Sequence, residues 1–84
     1  MPRFYFDFSD LDALPDHEGT ELKDASAAQR HALKLCGEML HHWPEHFWSV
    51  GSWDCSVRDE QGLVFAVVHF HVSDGPTPLG HKLH

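Results

Sequence analysis

Two stretches of period-two alternation, "WDCSVR" (53–58) and "LVFAVVHFHV" (63–72), are separated only by "DEQG". Successive side chains of a strand point to opposite faces, and so short a connection joins only antiparallel neighbours. The pair therefore predicts a β-hairpin. A four-residue loop, 59–62, would place Val57 opposite Val64, Cys55 opposite Ala66 and Trp53 opposite Val68. Both rows are then apolar, whereas a slip of one residue would exchange the faces of the second strand. Gly62 supplies the left-handed backbone needed at the end of such a loop. The hairpin thus has a sealed face and an open one, and the open one carries Leu63, Phe65, Val67, His69 and His71.

The rest of the chain supplies the cover. "RFYFDF" (3–8) alternates Phe4, Phe6 and Phe8 against Arg3, Tyr5 and Asp7, which predicts a half-buried strand. "SDLDALPD" (9–16) is an acidic turn whose Pro15 bars it from a central strand, and "HEGTEL" (17–22) can return as a short second strand. Asp24 is a suitable N-cap for a helix, with Ser26 and Gln29 as an alternative capping box. Ala25, Ala28, Ala32, Leu35, Cys36, Met39 and Trp43 fall within an arc of about 100°, the width of a core-facing stripe. Arg30, Lys34, Glu38 and His41 face water, and Leu33 and Leu40 lie on a flank. Pro44 disfavours helical geometry at Trp43 and ends the helix there. "PEHFWSVGS" (44–52) reads as a connection whose Phe47 and Trp48 fold back over the core, and residues 73–84 as a flexible tail. The expected architecture is α+β: a small antiparallel sheet of three to four strands, in chain order β-β-α-β-β, with one amphipathic helix on one face.

At 84 residues the chain has room for one domain, placed at residues 1–72. No apolar run approaches the roughly 20 residues of a membrane span, and "MPRFYFDFSD" lacks a signal-peptide core, so the expected location is the cytoplasm. A formal charge of −7, with six Lys and Arg dispersed along the chain, weighs against a nucleic-acid partner. The two cysteines, Cys36 and Cys55, sit in apolar contexts and make no disulfide framework or Cys-x-x-Cys pair.

Three stretches, "MPRFYFDF", "HEGTELKDASAAQRHAL" and "VRDEQGLVFAV", resemble a family of small bacterial proteins of unknown function. Its members open Met-Pro-Arg-aromatic-aromatic-Phe-Asp and close with a Val-Arg-Asp-x-x-Gly hairpin. The resemblance spans about residues 1–70 and implies the same β-rich, single-helix architecture, with no activity or catalytic residues to carry over. The chain departs from that pattern at "HHWPEHFWSVGSW" and in its nine histidines. At the level of fold alone, a helix beginning Asp-x-x-x-Ala beside a small sheet resembles the antitoxins of toxin–antitoxin pairs that have a partial nuclease-like fold.

The candidate chemistry is sparse. His69 and His71 stand about 7 Å apart along the strand, close enough to share a divalent ion such as Zn, Ni or Cu. Two imidazoles make half a tetrahedral site, so Asp54, Asp7, a second chain or the tail residues His81 and His84 would complete it. His41, His42 and His46 form a second group, interrupted by Pro44. Buried thiols are inert nucleophiles, and Ser52 and Ser56 lack a nucleophile elbow. The carboxylates Asp7, Asp10, Asp12, Asp16 and Glu18 form the rim of a solvated loop. No catalytic constellation or cofactor motif emerges. The half-apolar outer row Tyr5, Leu63, Phe65 and Val67 instead predicts a protein-interaction or regulatory module acting as a homodimer, with divalent-metal binding or antitoxin-like partner binding as alternatives.

Overall fold

The structure, a computed structural model, describes residues 1–9 and 15–75. In chain order the elements are β1 (Arg3–Phe8), β2 (Thr20–Glu21), α1 (Ala25–His42), α2 (Pro44–Val50), β3 (Ser52–Arg58) and β4 (Val64–His71). The strands form one antiparallel sheet in the order β2-β1-β3-β4. The α+β architecture is as expected, with a second helix added. Asp10, Asp12, His81 and His84, named above as rim or ligand candidates, and most of the expected tail lie outside the described residues.

The alternation in β1 and β3 decides which face is sealed. Phe6 lies opposite Val57 and Phe8 opposite Cys55, so the apolar rows of the two central strands merge. Phe4, Phe6, Trp53, Cys55 and Val57 are buried together with Ala28, Ala32 and Cys36 of α1 and Phe47 of α2. Small residues at every fourth position of α1 let its backbone lie close over the sheet, while Leu35, Met39 and Leu40 fill the margins. Asp24 caps α1 as expected, its carboxylate accepting the Ala27 N–H at 2.8 Å. Ser26 does not form a capping box; its hydroxyl accepts from Arg30.

Pro44 does two jobs. It ends α1, and as the first residue of α2 it begins a new helix, where its missing N–H is no loss. The segment expected to be a connection is therefore helical. α2 lowers Phe47 onto Trp53, ring centroids 4.2 Å apart, and Trp53 in turn stacks on Phe70 at 4.5 Å. Two expectations fail here. Trp43 belongs to no buried stripe, because the backbone has left the helix at that residue (φ −131°) and the ring is 55% exposed. Trp48 does not fold back; it follows Phe47 on the outward side of a short helix and is 58% exposed.

The hairpin register also differs from expectation. Val57 pairs with Ala66, Cys55 with Val68 and Trp53 with Phe70, two residues further along β4 than predicted. The loop is longer, residues 59–63, closed by Asp59 N–H donating to the Leu63 carbonyl and by the Asp59 carboxylate accepting from Gln61 and Leu63. A shift of two preserves the faces, so Ala66 and Val68 pack on the core as anticipated, and Phe70 joins them. An irregularity between Val57 and Arg58 then sets Arg58 opposite Val64 and leaves Phe65 as the extra residue.

Candidate interaction surface

The uncovered face of the sheet has a polar half and an apolar half. The polar half is a corner built by β1, the β1–β2 connection and the end of β3. The Arg58 guanidinium donates to the Asp7 carboxylate at 2.7 Å and to the Asp16 carbonyl at 2.8 Å, and lies 4.5 Å from the centre of the Tyr5 ring. Asp7 also accepts from the Asp16 N–H at 2.8 Å. The Asp16 carboxylate accepts from the backbone N–H groups of Phe6, Glu18 and Gly19, which fixes the turn that returns the chain as β2. Arg3 donates to the Glu18 carbonyl and pairs with Glu21. The carboxylates Asp7 and Asp16 are thus committed to holding the corner.

Burial pushes the Asp16 carboxyl upward, but the three backbone N–H groups and Arg58 outweigh it and hold the group below its ordinary value of 3.8. A carboxyl depressed on folding contributes stability that is complete above its unfolded value and is lost as pH falls through the lower folded value. Asp16→Asn should therefore flatten the acid limb of unfolding below about pH 4 relative to the parent. Urea midpoints measured from pH 6 down to pH 2 check this, and an unchanged acid limb would remove Asp16 from the account.

The apolar half belongs to β4. It is an edge strand, and among the described residues no strand pairs with its far side. Its eight residues include no Pro, Lys, Arg, Asp or Glu. Leu63, Val64 and Val67 are exposed, Val67 at 54%. Beyond them His69 projects from the open face beside Asp54, its cross-strand partner, in side-chain contact through Nδ1 and Oδ1. His71 lies opposite Ser52.

The sequence-predicted site residues are therefore divided. Leu63 and Val67 are outward, as expected. Phe65 is corrected: the bulge turns it inward, and its ring meets Phe4 edge-on at 5.7 Å against the core. Val64 is its counterpart, expected inside and found 49% exposed. Tyr5 is on the open face but not in the β4 row, because β1 neighbours β3 rather than β4; it covers Arg58 instead. Of the metal-ligand candidates, His69 and Asp54 are brought together, while Asp7 is taken by Arg58. No three His, Cys, Asp or Glu side chains among the described residues form a ligand group. Sequence reasoning missed Val64, whose outward turn depends on a bulge that leaves no local signature.

Residues 3–71 match the family described as a domain of unknown function (DUF6894), and the chain belongs to that family. No curated protein and no solved structure matches it significantly. The match takes in every strand and both helices. No helix among the described residues is long and apolar enough to cross a membrane.

Proposed function

We propose that this member of the DUF6894 family is a non-enzymatic interaction module that pairs with a second copy of itself along β4. The carrying observation is the edge itself, eight residues long and free of the charges and prolines that usually blunt such strands. Isolated edges with exposed apolar side chains pair readily, and a strand paired antiparallel with its own copy satisfies both rows of backbone groups by symmetry. Keeping both sets of helices on one side of the joined sheet requires each residue to meet one of like face. A two-fold axis at Val67, near the middle of the strand, does so for Val67 itself and for Ala66 against Val68, and the like-face pairing ends at the bulge that turns Phe65 inward. No carboxylate of β4 then meets its like across the axis, despite the acidic chain. The non-enzymatic part of the reading is supported by the corner carboxylates, which are spent on structure, and by the thiols, which are fully buried.

Sedimentation should show the mass rising from 9.6 kDa toward twice that value through the micromolar range. Val67→Asp should weaken association at least about tenfold, or 1.4 kcal/mol, because two carboxylates would meet at the axis. It should leave the fold intact, since Val67 is outside the core. A monomer at high micromolar concentration, or a dimer indifferent to Val67→Asp, would contradict the proposal.

The pairing of His69 with Asp54 favours a second reading, a divalent-metal site on the open face that would take its further ligand from a second chain. Calorimetry with Zn, Ni and Cu on the parent and on a His69→Ala, His71→Ala double variant decides it. Equal affinities would dismiss a specific site there.

A further inference from the structure

We propose, resting on both readings above, that a divalent ion such as zinc resets the register of the β4 dimer. The two-fold axis moves from Val67 to His69, and the two His69 imidazoles hold the ion between the chains. The backbone of the free edge decides which axes are open. Val72, just beyond β4, donates its N–H to the Gly51 carbonyl at 2.7 Å. Backbone groups alternate along an antiparallel ladder, so Ala66, Val68 and Phe70 also turn theirs to β3. Val67, His69 and His71 turn theirs to the free edge, and the same three residues carry exposed side chains on the open face. An axis at Val67 loses its like-face row at the bulge beside Phe65. An axis at His69 sets His69 against its copy, Val68 against Phe70 and Val67 against His71. Every pair from Val67 to His71 is then of like face.

The ion decides between the two. Without it, the Val67 axis buries two apolar side chains against each other, whereas the His69 axis brings two polar rings together with no such gain. Hydrogen-bonded partners across an antiparallel pair have Cα atoms about 5.5 Å apart, so the two imidazoles rise side by side from one face. The His69 side chain is 81% exposed, and its Nδ1 is in contact with Oδ1 of Asp54, its cross-strand neighbour on β3. A carboxylate at Nδ1 holds the ring proton there and leaves Nε2 as the ligand atom. Across the joined sheet the order is Asp54, His69, ion, His69, Asp54, with each carboxylate orienting the imidazole beside it. His71 of each chain lies next along the outer row, about 7 Å away, as a source of further imidazole. Imidazole donors suit Zn, Ni and Cu. Among the described residues one chain gathers no group of three ligands, so the site is incomplete without the second copy.

The test uses the full, untagged chain, with zinc chloride as the probe. Calorimetry should show one zinc per two chains, and sedimentation should show zinc tightening the dimer at least about tenfold. Val67→Asp separates the registers. Without metal it sets two carboxylates together and weakens association; with zinc each carboxylate faces His71 of the second copy, and the dimer should return. Adding His69→Ala should abolish that return, and this exposed position leaves the fold intact. One zinc per chain with no change in mass would leave a metal site and overturn the reset. So would a Val67→Asp chain that stays monomeric with zinc, or a zinc-dependent dimer indifferent to His69→Ala. A parent that is monomeric before zinc is added contradicts the pairing along β4 itself, and the reset with it.

Discussion

Phe47→Ala should cost about 3–5 kcal/mol, the usual loss for emptying a buried aromatic site. A domain of this length has roughly 4–13 kcal/mol in total, so the variant is expected to lose about a quarter or more of its stability. The size of the effect follows from position. Phe47 is 2% exposed, and its ring lies against Trp53, which also meets Phe8 and Phe70. Removing it opens a void at the centre of an aromatic stack and leaves α2 with no other buried residue to hold it. Trp48, the adjacent residue, is the control. It is larger but mostly in water, so Trp48→Ala should change stability by no more than about 0.5 kcal/mol. Urea denaturation of both variants checks the pair, and equal losses would show that α2 is rotated from the placement described.

Gly19→Ala should cost about 2–4 kcal/mol, from strain at positive φ together with overpacking. Gly19 has φ +74°, a conformation in which an L side chain is strained. An added Cβ would also approach Arg3 Cγ and Tyr5 Cε2 at 2.8 Å and the Phe4 carbonyl oxygen at 3.0 Å. β2 reaches β1 only because this position has no side chain. Gly62 offers the comparison: its φ of +86° is similar, but nothing lies within 4 Å. Gly62→Ala should therefore show only the strain, about 1–2 kcal/mol. Thermal unfolding of the two variants separates the effects, and an equal cost at both sites would mean that the corner is looser than described.

These two sites also show what was legible in the sequence. The Phe-x-Phe-x-Phe alternation, the Asp24 cap and the Trp-x-Cys-x-Val row encode their faces locally, and each is found as read. Arg3, Tyr5, Asp7, Glu18, Gly19, Arg58 and Asp59 gather in the corner and the adjoining hairpin loop, where they form hydrogen bonds or close contacts. Pro44 was ambiguous because the same ring both stops one helix and starts another, and only the non-helical backbone at Trp43 (φ −131°, ψ 55°) resolves which. The inward turn of Phe65 depends on a bulge, and the place of Tyr5 on strand order. Neither is set by local periodicity.

The consequence for function is specific. With Phe65 half-buried against the core, a charged substitution there would test folding as well as association, and the exposed apolar strip is Leu63, Val64 and Val67. The strip and the unpaired backbone of β4 lie side by side, and a second copy laid along β4 would cover both.

Backbone hydrogen exchange, followed by mass spectrometry at low and at high micromolar concentration, tests the shared edge most directly. Amides of β4 should gain protection as concentration rises, while those of β2, at the opposite edge, keep the same rate. Exchange in β4 that is indifferent to concentration would show that this edge is not where two chains meet.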